Sequence, residues 1–297
     1  MTVLLDVRGV TAGFGSNTVL HGVDLQVREG EIAGVFGLNG AGKSVTMKVL
    51  AGVVPAWAGT IAFGGRDLGR VSAERRVALG IGHVPQGRQV FAGLTVEENL
   101  RLGAYTSRRK DKRDYPARLA TVFDEFPRLG ERRTQRAGTL SGGEQAALAV
   151  GRALINRPRL ILVDEPSAGL APIVTAQLFE ILQQVAASGV TMVVVEQNVA
   201  FGLRLVSRAN IMQTGRVVHS CAVDDLDADT LARHLGIGRM LAAGASGALR
   251  SRRRQPAPKV AAKKRAPGKK TAPAKKRAPA KKKAPAKKAP AKKKEGR

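Results

Sequence analysis

Three glycines, a lysine and a serine fall within the eight residues Gly37-Leu38-Asn39-Gly40-Ala41-Gly42-Lys43-Ser44, a spacing suited to a loop that holds a phosphate chain. The stretch lies between an apolar run ending at Phe36 and a set of helix formers from Lys43 to Ala51, so the loop would close on a helix N-terminus. There, glycines let backbone N–H groups converge on phosphate oxygens, and the helix dipole favours their negative charge. Lys43 would reach the β and γ phosphates, and Ser44 would coordinate Mg²⁺. A second pattern supplies what hydrolysis needs. Leu160-Ile161-Leu162-Val163-Asp164-Glu165 reads as a buried strand ending in two carboxylates. Asp164 would be delivered to the metal, and Glu165, as general base, to a water beside the γ-phosphate. Each pattern alone has a plainer reading, a Gly-rich turn in one case and a solvated strand end in the other.

Together the two patterns resemble the Walker motifs of a P-loop NTPase, and a third segment narrows the resemblance. In Thr139-Leu140-Ser141-Gly142-Gly143-Glu144-Gln145, Ser141 is a natural helix N-cap with Glu144 three residues on. A simple cap does not need Gly142 and Gly143. The segment resembles the signature motif of ABC ATPases, where it binds the γ-phosphate of an ATP held by the opposite subunit. The resemblance covers roughly residues 1 to 237. It implies a head-to-tail dimer of two ATPase subunits, identical or different, enclosing two ATPs. It also implies that Phe14 stacks on adenine and that Gln86 touches Mg²⁺ or the attacking water. Ser167 to Pro172 resembles the D-loop. Gln197 stands at the switch position, where most of the family carries His. A glutamine there can hydrogen-bond the γ-phosphate but cannot carry a proton, which leaves Glu165 as the main base. Val-Glu-Gln-Asn at 195–198 and Gly-Arg-Gln-Val-Phe-Ala-Gly-Leu-Thr-Val-Glu-Glu-Asn-Leu at 87–100 are similar to the second ATPase subunit of branched-chain amino acid importers. Gln86 departs from that branch, which often has Glu there, and suits urea or amide importers as well.

The elements that must position these residues have their own signals. Thr2–Val7, Val23–Val27 and Glu31–Phe36 read as strands, with a turn around Gly13-Phe14-Gly15. Gly52 is a stop for the helix that begins at Lys43. Thr95-Val-Glu-Glu98 predicts a capping-box helix start within a polar helical stretch, an inserted α-helical subdomain at about 86–150. From Ser141 onward, helix (144–156), apolar strand (160–163), helix (176–187) and apolar strand (191–195) alternate. Fully apolar strands between amphipathic helices predict a mainly parallel sheet covered on both faces, beside an antiparallel N-terminal β-subdomain. The fold class is α/β.

Of the +27 net charge over 297 residues, +21 lies in residues 250–297, where 22 Lys/Arg face a single acid, Glu295. The rest of the chain is thus only mildly basic and has the composition of an ordinary core-forming domain. Repeats of Lys, Ala and Pro offer no large apolar side chain to offset ordering entropy, so 250–297 is expected to be a disordered tail after a linker at 238–249. In composition the tail resembles the C-terminal arm of linker histones. Three readings of it stay open: a solvated spacer, adhesion to anionic lipid, and nucleic-acid binding by counterion release. No run approaches the ~18 apolar residues of a membrane span. Asp6 and Arg8 interrupt any apolar signal core, and the one cysteine, Cys221, cannot form an intrachain disulfide. The expectation is a cytoplasmic ATPase, peripheral on the inner face of the cell membrane. Its partners would be transmembrane permease subunits and, indirectly, a solute-binding protein. The rival is an ABC ATPase recruited to nucleic acid by its tail.

Overall fold

The computed structural model describes residues 2–87, 89–105 and 114–235. The linker at 238–249, the tail at 250–297 and the last residues of the 1–237 domain lie outside the described residues.

The apolar strands of the second half settle into the middle of a six-stranded sheet. Its order is β10 (Arg216–Ala222), β9 (Arg208–Gln213), β3 (Ile32–Phe36), β8 (Thr191–Glu196), β7 (Leu160–Asp164) and β6 (Ile81–Val84). All neighbours are parallel except the β9–β10 pair at one edge. The pleat explains why β7 is apolar up to Asp164 and β8 apolar between Thr191 and Glu196. Leu160 and Leu162 of β7, with Val193 and Val195 of β8, face one core, while Ile161, Val163, Met192 and Val194 face the other. The first core is closed by a four-stranded antiparallel sheet in the order β2 (Asn17–Arg28), β1 (Val3–Phe14), β4 (Ala58–Phe63), β5 (Arg66–Asp67). The helix α1 (Lys43–Ala51) contributes Met47 and Leu50 to the same core. Sequence patterning captured only the first half of β1, because the strand runs on through register shifts that break its alternation.

The other core is built by helices: α3 (Val96–Gly103), α4 (Tyr115–Glu125), α5 (Pro127–Glu131), α6 (Gly142–Leu154), α7 (Pro172–Ala187) and α8 (Val199–Leu205). Leu100 of α3, Val122 of α4 and Leu148 of α6 share it with Val163 and Leu182, so the helical insertion is continuous with the sheet's own core. Both predicted capping boxes form. The Thr95 hydroxyl accepts from Glu98 N at 3.2 Å, and that of Ser141 from Glu144 N at 3.3 Å. The helix expected from 176 begins earlier, at Pro172, whose ring suits a first turn and whose missing N–H costs nothing there. Among the described residues no helix is long and apolar enough to cross a membrane.

The short helix α2 (Ala73–Ala78), not evident from the pattern, presents a buried arginine to the end of α1. Arg76 donates from Nη1 to Val49 O (2.7 Å) and Leu50 O (2.8 Å), from Nη2 to Leu68 O (2.8 Å) and from Nε to Val71 O (3.0 Å). It therefore satisfies carbonyls that a helix end leaves open and anchors the helix that begins at Lys43. Arg76→Ala is expected to cost about 3 kcal/mol of folding stability, read as a lower urea midpoint, because four buried acceptors lose one charged donor group. Arg76→Lys should recover little of it, since one ammonium cannot span four carbonyls.

Candidate active site

The loop between β3 and α1 folds as its glycines require. Gly42, the N-cap of α1, has φ of +100°, a conformation that L side chains rarely adopt, and a Cβ there would also lie 2.9 Å from Leu20 Cδ2. Gly37 is buried, whereas Leu38, Asn39 and Gly40 form the exposed crown of the loop and Ala41 packs beneath it. Lys43 is only 4% exposed; its Nζ donates to Gly37 O (2.9 Å) and Leu38 O (3.1 Å) and lies 3.7 Å from Glu165 Oε1. The lysine is thus folded over its own loop with a carboxylate beside it.

The two carboxylates at the end of β7 have different settings. Asp164 is buried, and Ser44 Oγ donates to its Oδ1 at 3.2 Å. Burial pushes the Asp164 carboxyl up, a trend that the Ser44 hydrogen bond opposes and neighbouring Glu165 reinforces. A carboxyl beside a hydroxyl offers two hard oxygens, and the pair fits Mg²⁺. Among the described residues no three His, Cys, Asp or Glu side chains gather into a metal centre. Two protein oxygens completed by phosphate and water is the usual habit of this ion. Glu165 adopts φ of +44°, uncommon for a residue with a side chain, and is held by its N–H to Val195 O at 3.0 Å. The turn directs its carboxylate to Lys43 and to Gln86, whose Nε2 donates to Glu165 Oε2 at 2.7 Å. The amide nitrogen of Gln86 is therefore spent on Glu165, and the amide oxygen is the atom left for a metal or water.

Lys43, Ser44, Gln86, Asp164 and Glu165 thus form one cluster. Phe14, half exposed at the end of β1, is available to a stacking partner and is not a core residue. Gln197 is exposed just beyond β8. The Ser141–Glu144 segment stands apart: its bonds run within the capping box and from Arg132 Nε to Glu144 Oε1 at 2.6 Å, not to the cluster. Gly143 also has a packing reason, since a Cβ there would lie 2.8 Å from Val174 Cγ1 on α7. Two contacts were not foreseen from spacing. One is Arg132, twelve residues from its partner; the other is Glu196, whose buried carboxylate accepts from Ser167.

Residues 20–168 match the model of the ABC transporter family. The chain belongs to the ABC transporter family. It is an ATP-hydrolysing cassette. It is 45% identical over 215 residues to the high-affinity branched-chain amino acid transport ATP-binding protein BraG of Pseudomonas aeruginosa, covering 72% of this chain and 91% of that one. It is 35% identical over 218 residues to a probable branched-chain amino acid transport ATP-binding protein, LivF, of Archaeoglobus fulgidus, covering 73% and 91%. Its fold is similar to the crystal structure of an ATP-binding cassette of an ABC transporter in the ADP conformation. That likeness has a TM-score of 0.67 and 26% identity, over 75% of this chain and 92% of the other. The cassette accounts for the α/β core with its antiparallel and helical additions, and its ligand is ATP.

Proposed function

We propose that this ABC cassette powers an importer of branched-chain amino acids. The observation that carries the cargo is its likeness to two branched-chain amino acid transport subunits, one at 45% identity. In this reading the adenine of ATP stacks on Phe14, and Gly37 to Ser44 wraps the phosphates. Mg²⁺, held by Ser44, Asp164 and Gln86, would neutralise charge on the phosphate oxygens. Lys43 leaves its carbonyls for the β and γ phosphates. Glu165 takes the proton of the attacking water, oriented by Gln86 on one side and by Gln197 near the γ-phosphate on the other. A second ATPase subunit, identical or different, completes the site with its own Ser141, Gly142, Gly143 and Glu144. Closure of the dimer on ATP, and reopening after hydrolysis, reach the transmembrane permease subunits through the helical insertion at about 86–150. The chain then sits on the cytoplasmic face of the membrane, and a solute-binding protein acts on it only through the permeases.

Uptake assays test this reading. Cells expressing the chain with a cognate permease pair and binding protein are expected to accumulate labelled leucine, isoleucine and valine. Accumulation of urea instead would move the cargo to the related amide importers, which Gln86 also suits. Deleting residues 250–297 is expected to leave basal ATPase activity within about twofold, because every residue given a role above lies at Gln197 or earlier in the chain. Loss of a polyanion-stimulated activity on the same deletion would favour the nucleic-acid reading.

A further inference from the structure

Glu196 ends β8 with 1% exposure, in register with Phe36, the residue that enters the phosphate loop. Among the described residues its carboxylate makes three hydrogen bonds, none of them to a cation. Oε1 accepts from Ser167 N at 3.0 Å; Oε2 accepts from Ser167 Oγ at 2.9 Å and from Asn198 N at 3.3 Å. A buried acid without a counter-charge is costly, and burial pushes this one up, with Glu165 adding to the push. Stability alone does not account for it. Its donors do. Ser167 lies two residues after Glu165, Asn198 lies one after Gln197 and itself caps α8 by accepting from Phe201 N. One side chain therefore joins the turn that presents Glu165 to the turn that presents Gln197, and the two turns border an open cleft of about 270 Å³ lined by Glu165, Ser167, Ala168, Glu196, Gln197 and Asn198.

We infer that Glu196 is a positioning residue for hydrolysis: it fixes the separation between Glu165 and Gln197, so that base and switch face the same γ-phosphate. The inference rests on the roles proposed above for those two residues. Only a carboxylate meets the geometry, because it presents acceptors on both oxygens. An amide offers one acceptor and turns an NH₂ group toward a donor, so that it loses Ser167 N in one orientation and Asn198 N in the other, and the tie loosens. The loop from Gly37 to Ser44 is not part of the tie, so ATP binding should be spared while the chemical step suffers.

The experiment compares the purified full-length wild type, Glu196→Gln, Ser167→Ala, the double variant and Glu165→Gln by steady-state ATP hydrolysis, affinity for a fluorescent ATP analogue, and thermal unfolding. Glu196→Gln is expected to lower kcat about tenfold with KM for ATP and analogue affinity within about twofold. Ser167→Ala, which removes the hydroxyl donor and keeps the Ser167 N–H, should lower kcat about threefold with a modestly lowered melting temperature. The double variant should be no slower than Glu196→Gln, because both substitutions cut the same tie. A wild-type kcat in Glu196→Gln overturns the inference, as does a rise in KM without a fall in kcat, or a double variant slowed by the product of the single effects. If Glu196→Gln fails to fold, Ser167→Ala decides alone, and a wild-type rate there overturns it. Glu165→Gln separates the two levels of the argument. Its collapse beside an unaffected Glu196→Gln rejects only the tie, whereas its normal turnover rejects the base assignment.

Discussion

Glu165→Gln is expected to reduce ATP turnover by at least about 10²-fold while leaving ATP binding intact or tighter. The substitution is nearly isosteric, and the new amide oxygen can still accept from Gln86 Nε2, which now bonds Glu165 at 2.7 Å. What disappears is the capacity to take a proton from water. Gln197 cannot supply it, because an amide does not accept a proton near neutral pH. Binding should hold for an electrostatic reason as well. Lys43 Nζ lies 3.7 Å from Glu165 Oε1, and removing that charge frees the ammonium for phosphate. Phosphate release measures the first effect, and titration with a fluorescent ATP analogue the second. Dimerisation trapped by ATP, seen as earlier elution on size exclusion, should accompany them. Normal phosphate release in this variant would remove Glu165 from the role of base.

How far the site could be read in advance depended on the distance over which each residue's partner acts. The bounds of α1, Lys43–Ala51 with Gly52 at φ +80°, follow from neighbours in sequence, and so do the two capping boxes, whose partners are three residues apart. The apolar strands were equally legible, since burial on both faces leaves no alternation to misread. Strands at the sheet edges were harder. β10 alternates exposed and half-buried residues because one of its sides meets solvent, its neighbour β9 interrupts its apolar run with Asn210, buried and donating to Gly34 O, and β5 spans only Arg66–Asp67. The least legible residues are those with distant partners. Glu196 finds Ser167 across 29 positions, and Arg76 finds Val49 across 27, with no periodicity to announce either pairing. The Gly142-Gly143 pair was read as an approach to an anion. In the structure Gly143 also lies against Val174, so a single residue type answers two demands that sequence alone cannot separate.

Lys43→Ala is expected to weaken ATP binding by about 10²-fold, a loss near 2.7 kcal/mol, in keeping with removal of a charge-assisted contact to phosphate together with the charge balance around it. The balance is the decisive part. Lys43 is the ammonium that faces Glu165, and Asp164 adjoins it with its carboxyl already pushed up by burial. Without the lysine, the polyanionic nucleotide would approach two carboxylates through a loop whose remaining donors are neutral N–H groups. The fold bears part of the loss as well, because Gly37 O and Leu38 O, which now accept from Nζ at 2.9 and 3.1 Å in buried and part-buried settings, lose their donor. Melting temperature without nucleotide should therefore fall, and the upward shift that saturating ATP produces in the wild type should shrink. Lys43→Arg retains the charge but not the compact head that fits over the loop, and is expected to recover at most a small part of the affinity. Wild-type affinity in Lys43→Ala would mean that the backbone alone holds the phosphates, and the lysine would then belong to the chemical step only.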